Sequence, residues 1–102
     1  MSSEKNIALR EHFNETGSVL AVADHELLGQ TLKDGIVTFI VSKHFYFEKR
    51  VDEEELKEAL QEAGNINLIG VRAHQVAVKL GIVTETGVRR IAGIPHAQIY
   101  KL

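Results

Sequence analysis

The sequence predicts a single α+β domain: an antiparallel or mixed sheet, element order β-β-α-β-α-α-β-β, with two main helices packed on one face. Three observations carry this expectation. β-Rich or alternating runs open the chain and return at residues 36–41, two stretches with apolar residues at helical spacing fill the middle, and two short strands close it. Strands and helices therefore cluster instead of alternating strictly, as a parallel doubly wound sheet would require. The 102 residues suit one domain, expected to span 1–102 with a flexible N-terminus over 1–6, and the 44% apolar and 25% charged content is ordinary for a globule.

Ile7, Leu9, Glu11 and Phe13 alternate with Ala8, Arg10 and His12, which predicts a half-buried strand with one imperfect inward position. Asn14 to Gly17 supply a turn, and Ser18 to Ala23 return as a more apolar, more central strand. Asp24 is placed to cap one or two helical turns through Leu28, ended by Gly29. After the Lys33-Asp34-Gly35 turn, Ile36 to Val41 carry the densest β-branched and aromatic content in the chain. In the following KHFYFEKR stretch, strand alternation would turn Phe45 and Phe47 inward and His44 and Tyr46 outward.

Asp52 before Glu53, Glu54 and Glu55 is a strong helix start, because the Asp accepts unpaired N–H groups and the acids complement the positive end of the dipole. Leu56, Ala59, Leu60 and Ala63 form its buried stripe, and Gly64 ends it. A second helix is expected from about Asn67 to Leu80, burying Ile69, Ala73, Val76, Ala77 and Leu80 before Gly81. Two strands follow, Val88 to Ala92 and from Ile94 or His96 to Leu102. Pro95, the only proline, lacks an N–H and holds Ile94 extended, so it belongs at a strand start or sheet edge.

Several chemistries are excluded by residue type. With no cysteine there are no disulfides, thiolate nucleophiles, zinc fingers or iron–sulfur clusters. No glycine-rich phosphate loop or dinucleotide fingerprint is present, and His25-Glu26-Leu27-Leu28-Gly29 has glycine where a zinc-protease helix needs its second histidine. Ser42, Lys43 and His44 are adjacent, which on a strand sends neighbours to opposite faces and defeats nucleophile activation. No cofactor is expected. No apolar run approaches the roughly 20 residues of a membrane span, so no membrane association and a cytoplasmic location are expected.

Charge is distributed unevenly. Residues 1–64 carry seven Lys/Arg against thirteen Asp/Glu, whereas residues 65–102 carry five against one. A polyanion or an acidic protein would be met by the C-terminal third. Arg72, Gln75 and Lys79 fall on one face of the second predicted helix, with His74 at its flank, and Arg89 and Arg90 follow on the next strand. His44 and Tyr46 sit among cations and rings, the combination that single-stranded nucleic-acid sites use. His96 and Gln98 alternate with Ala97 and Ile99 and should aim two neutral hydrogen-bonding groups at one surface.

Glu26-Leu27-Leu28-Gly29, Phe45-Tyr46, Asn67-Leu68-Ile69-Gly70, Gly81-Ile82-Val83 and above all Arg90-Ile91-Ala92-Gly93-Ile94-Pro95-His96-Ala97-Gln98 resemble an archaeal family, domain of unknown function 424. Phe47 follows Tyr46 where the family pattern has glycine, and Ala92 stands where a second glycine is frequent. The resemblance implies an archaeal cytosolic protein loosely associated with translation genes, with no established activity. The leading expectation is a non-catalytic module that binds RNA or a translation-associated protein through its basic third. The alternative is a small enzyme or ligand-binding domain using His96 as acid–base group, with His74 or His44. A homodimer through the edge made by the last strand is a third expectation.

Overall fold

Ile7–Asn14 (β1) and Gly17–Asp24 (β2) pair as the expected hairpin, Ile7 opposite Asp24 and Asn14 opposite Gly17, in a computed structural model that describes residues 4–101. These two strands are interior members of a six-stranded sheet. Its other members are Lys49–Val51 (β5), Asn65–Ile69 (β6), Arg89–Ile91 (β7) and Ile94–Tyr100 (β8), in the order β5-β1-β2-β6-β8-β7. Only β2 and β6 run parallel, so the sheet is mixed. Thr31–Asp34 (β3) and Val37–Ile40 (β4) make a separate two-stranded sheet.

Strand alternation divides the core between two faces. Ile7, Leu9, Leu20, Val22, Ile66 and Leu68 pack beneath the helices Glu53–Glu62 (α2) and Val71–Lys79 (α3), which contribute Leu56, Leu60, Ala73, Val76 and Ala77. Both main helices thus share one face, as expected. The opposite face buries Ala21, Ala23, Ile69 and Ile91 beneath the β3–β4 hairpin, a 3-10 turn at His25–Leu27 and the short helix Lys43–Tyr46 (α1).

The α2 start has the anticipated capping box: Asp52 accepts from the Glu55 N–H at 2.9 Å while Glu55 accepts from the Asp52 N–H at 3.1 Å. Elsewhere local sequence misled. Asn67 to Ile69 belong to β6 and not to a helix, because Ile66 and Leu68 alternate into the helix-covered face and Gly70, at φ +127°, breaks the chain before α3. A Cβ on Gly70 would lie 2.3 Å from the Asp24 Cγ. That contact explains a second departure: the Asp24 side chain does not cap the 3-10 turn but crosses to α3, accepting from the Arg72 and Ala73 N–H groups at 3.0 and 2.9 Å.

β3 was not anticipated, since its Thr-Leu-Lys-Asp offers a single apolar residue, Leu32, which pairs with Phe39 of β4. KHFY is not extended either. The Ser42 hydroxyl accepts from the Phe45 N–H at 3.2 Å and starts α1, so helical spacing replaces alternation: Tyr46 is buried, Phe45 half-buried, and His44 and Phe47 exposed. Phe13, expected inward, is 78% exposed because the tip of the β1–β2 hairpin extends past the helices. His74, expected at a flank, is buried. Within the stretch expected to be flexible, Asn6 accepts from the His25 N–H at 2.8 Å and Lys5 from Arg50 Nε at 2.9 Å; residues 1–3, like Leu102 of the last strand, lie outside the described residues.

Candidate nucleic-acid interface

The face opposite α2 and α3 is only partly covered, and its open part carries an ordered set of polar and aromatic groups. Neighbouring residues on paired strands point to the same side, so the pairing registers lay out rows across the sheet. One row reads Arg10, Ala21, Asn67, Gln98 from β1 to β8. The adjacent row reads Ala8, Ala23, Ile69, His96, Arg89, ending on β7. Asn65 opposite Tyr100 continues the pattern toward the open end of the sheet.

α1 borders the rows on the β1 side and is held there by side chains of β1. Arg10 Nη1 donates to the His44 carbonyl at 2.8 Å and His12 Nε2 to the Phe45 carbonyl at 2.7 Å. The His12 and Phe45 rings stack at 4.6 Å, and Phe45 meets Tyr46 edge-on at 4.9 Å. Tyr46 then spans the sheet face, its hydroxyl donating to Asn67 Oδ1 at 2.6 Å. Burial pushes the phenol above its usual range, so it stays a neutral donor. With Oδ1 oriented by that bond, the Asn67 amide N–H₂ is a donor beside Gln98.

On the β8 side, the His96 ring lies 5.0 Å from the Phe39 ring, and its Nε2 is buried without a hydrogen-bond partner among the described residues. Desolvation, then the neighbouring Arg89 cation, holds the imidazole below its ordinary pKa. Gln98 and Arg89 are exposed, as is Tyr100 at 67%. Tyr100, Phe39, Asn65, Asn67, Arg10 and His12 were not singled out from the sequence. The Asn-Ile-Asn-Leu-Ile alternation could have revealed the two asparagines had it been read with period two.

The sequence candidates thus fall into two groups. His96, Gln98, Arg89 and the buried Tyr46 share the open face, with His44 exposed on the bordering α1. Tyr46 cannot stack on a base, since only its hydroxyl reaches the row. Arg72, Gln75 and Lys79 lie on the exposed side of α3, behind the sheet, and Arg90 alternates away from Arg89. Two of the α3 groups are engaged by the acidic half of the chain: Arg72 Nε pairs with Glu26 at 2.9 Å and Lys79 Nζ with Glu53 at 3.2 Å. Lys101, a third cation of the basic third, donates to the Leu60 and Gln61 carbonyls at the end of α2. The linear charge asymmetry is therefore largely compensated in space. The start of α3 is also no anion site, because the Asp24 carboxylate already fills it.

The family model described as "Protein of unknown function (DUF424)" matches residues 11–102, nine-tenths of the chain and all of this face except Ala8 and Arg10 of β1. The chain belongs to the DUF424 family. No curated protein matches it. The crystal structure of an uncharacterized conserved protein from Methanopyrus kandleri is similar over 94% of this chain and 91% of that one, at 32% identity and a TM-score of 0.79. This DUF424 chain and that protein therefore share the arrangement of strands that builds the rows. Among the described residues of the DUF424 chain, no three His, Asp or Glu side chains converge as metal ligands, and no helix is long and apolar enough to cross a membrane.

Proposed function

We propose that the open sheet face binds single-stranded RNA. The observation that carries this reading is the juxtaposition of exposed or half-exposed rings, Phe39, Phe45, His96 and Tyr100, with the Asn65, Asn67 and Gln98 amides on one partly covered sheet. Rings accept bases of any sequence by stacking, and amides read the hydrogen-bonding edges that only unpaired bases expose. Arg89 and Arg10 stand at the two ends of the rows, where a backbone crossing the sheet needs cations. The five acids of α2, Glu53, Glu54, Glu55, Glu58 and Glu62, lie on the far side of the sheet.

The reading keeps the basic C-terminal third as the contact region but moves the contact from α3 to β7 and β8. Electrophoretic titration with an oligouridylate of about 12 nucleotides tests it. Tyr100→Ala should weaken binding by about 1–3 kcal/mol, the worth of one stacked base. The double variant Arg72→Ala with Lys79→Ala should leave affinity within about twofold, and each phosphate contact should add about 0.7 to the slope of log affinity against log salt. No binding at low salt, or a loss confined to the α3 double variant, would refute this assignment.

A further inference from the structure

The last strand is longer than its outer neighbour. β7 pairs with β8 only at Ile94, Pro95 and His96, whereas β6 accompanies β8 through Tyr100. The orientation of the backbone along β8 follows from two contacts outside the ladder. The Pro95 carbonyl accepts from the Gly70 N–H at 3.0 Å and the Lys101 N–H donates to the Gly64 carbonyl at 2.9 Å, so the odd-numbered residues turn their peptide groups toward β6. The even-numbered ones face the other way. Gln98 and Tyr100 therefore present N–H and C=O to an edge that no strand of the described residues occupies. An open groove of about 420 Å³ runs along this edge, with Ala97, Gln98 and Ile99 on one wall and Val83, Val88 and Arg89 on the other.

We infer that this groove takes an extended, acidic segment of another protein, added to β8 as a strand in the line that β7 vacates. Exposed strand edges are the standard site of such addition, main-chain bonds giving affinity and flanking side chains giving selectivity. Charge selects the occupant. Arg89 lines the groove and makes no ion pair among the described residues, and no carboxylate lines it. A second copy pairing through the same edge would bring its own Arg89 against this one, and Val83 and Val88 wall the groove on the side where its sheet would have to lie. The face bound by RNA in the proposal above and this edge share the Arg89 cation and meet at Gln98, where they use different atoms: the side-chain amide for the face, the backbone for the edge.

That difference makes the two readings separable. A phage-displayed library of random dodecapeptides is selected on the full chain and counter-selected on Gln98→Pro, which removes the outward N–H without touching a bond to β6. Enriched peptides should be rich in β-branched residues and Asp/Glu. A synthetic copy of one should slow exchange of the Gln98 and Tyr100 amides, retain its affinity for Gln98→Ala, and bind Arg89→Glu at least tenfold more weakly. Should Gln98→Pro fail to fold, amide exchange and Arg89→Glu still decide. RNA binding that fails while the peptide result holds would remove only the first reading. No enrichment, enrichment of basic peptides, or concentration-dependent protection of the same amides without peptide would overturn the inference, the last by making a second copy the occupant.

Discussion

Asp24 shows how one side chain can settle what a surface does not do. Its carboxylate is 3% exposed and satisfies two N–H groups at the start of α3, so Asp24→Ala should strand both and cost about 1–3 kcal/mol in urea denaturation. The pH dependence of that cost has a definite sign. Desolvation outweighs the two backbone bonds and holds the folded pKa above the unfolded 3.8, so the native state binds the proton more tightly. The wild-type advantage over Asp24→Ala should therefore grow as pH falls through the raised value toward 3.8; an advantage that shrinks would mean the backbone bonds dominate. Ala92 is the complementary case. It occupies the two-residue β7–β8 turn at φ +52° beside Gly93 at +80°, a left-handed pair that favours glycine at both places. Ala92→Gly should accordingly stabilise the chain by about 1 kcal/mol, read as a raised denaturation midpoint.

At the scale of elements, what could be read from sequence was whatever obeyed a single period with marked ends. The β1–β2 hairpin, α2 with its capping box and the core stripe of α3 all satisfy that condition. Leu60, fully buried, and Val76, 4% exposed, should each cost about 2–4 kcal/mol when cut to Ala, and unchanged midpoints would place the stripes on the wrong face. Elements whose identity depends on distant partners were not legible. β3 is a strand because Phe39 offers Leu32 a partner, and β5 because β1 has a free edge for three residues. Asn65–Ile69 carries apolar residues that also fit the α3 helical stripe, and only the pairing with distant partners, parallel to β2 and antiparallel to β8, decides for a strand. α1 turned on one hydroxyl, Ser42, whose capping role is indistinguishable in sequence from a strand serine. The candidate face inherited these errors: its β8 residues were found because β8 alternates cleanly, while Asn67 was hidden inside a misread helix and Asn65 in the connection expected before it.

For the molecule as a whole, folding redistributes the charge that the linear sequence separates. The acidic N-terminal part supplies Glu26 and Glu53 to Arg72 and Lys79, leaving Arg89, without an ion pair among the described residues, beside His96 on the open face. The coupling between those two groups gives the RNA proposal a pH signature. Burial and the Arg89 charge lower the His96 pKa, so the protonated ring opposes folding, and the free protein should lose that part of its stability as pH falls from 6.5 through the lowered value. A phosphate held at Arg89 offsets the repulsion and favours the protonated ring, and by linkage whatever raises a pKa binds more tightly as the proton is added. Oligouridylate affinity should therefore rise between pH 7.5 and 5.5 at constant ionic strength while the melting temperature of the free protein declines. His96→Gln, which keeps a neutral hydrogen-bonding group, should flatten the affinity profile and remove the His96 part of the decline. An affinity rise that persists unchanged in His96→Gln would assign the effect to carboxylates elsewhere and remove His96 from the contact surface.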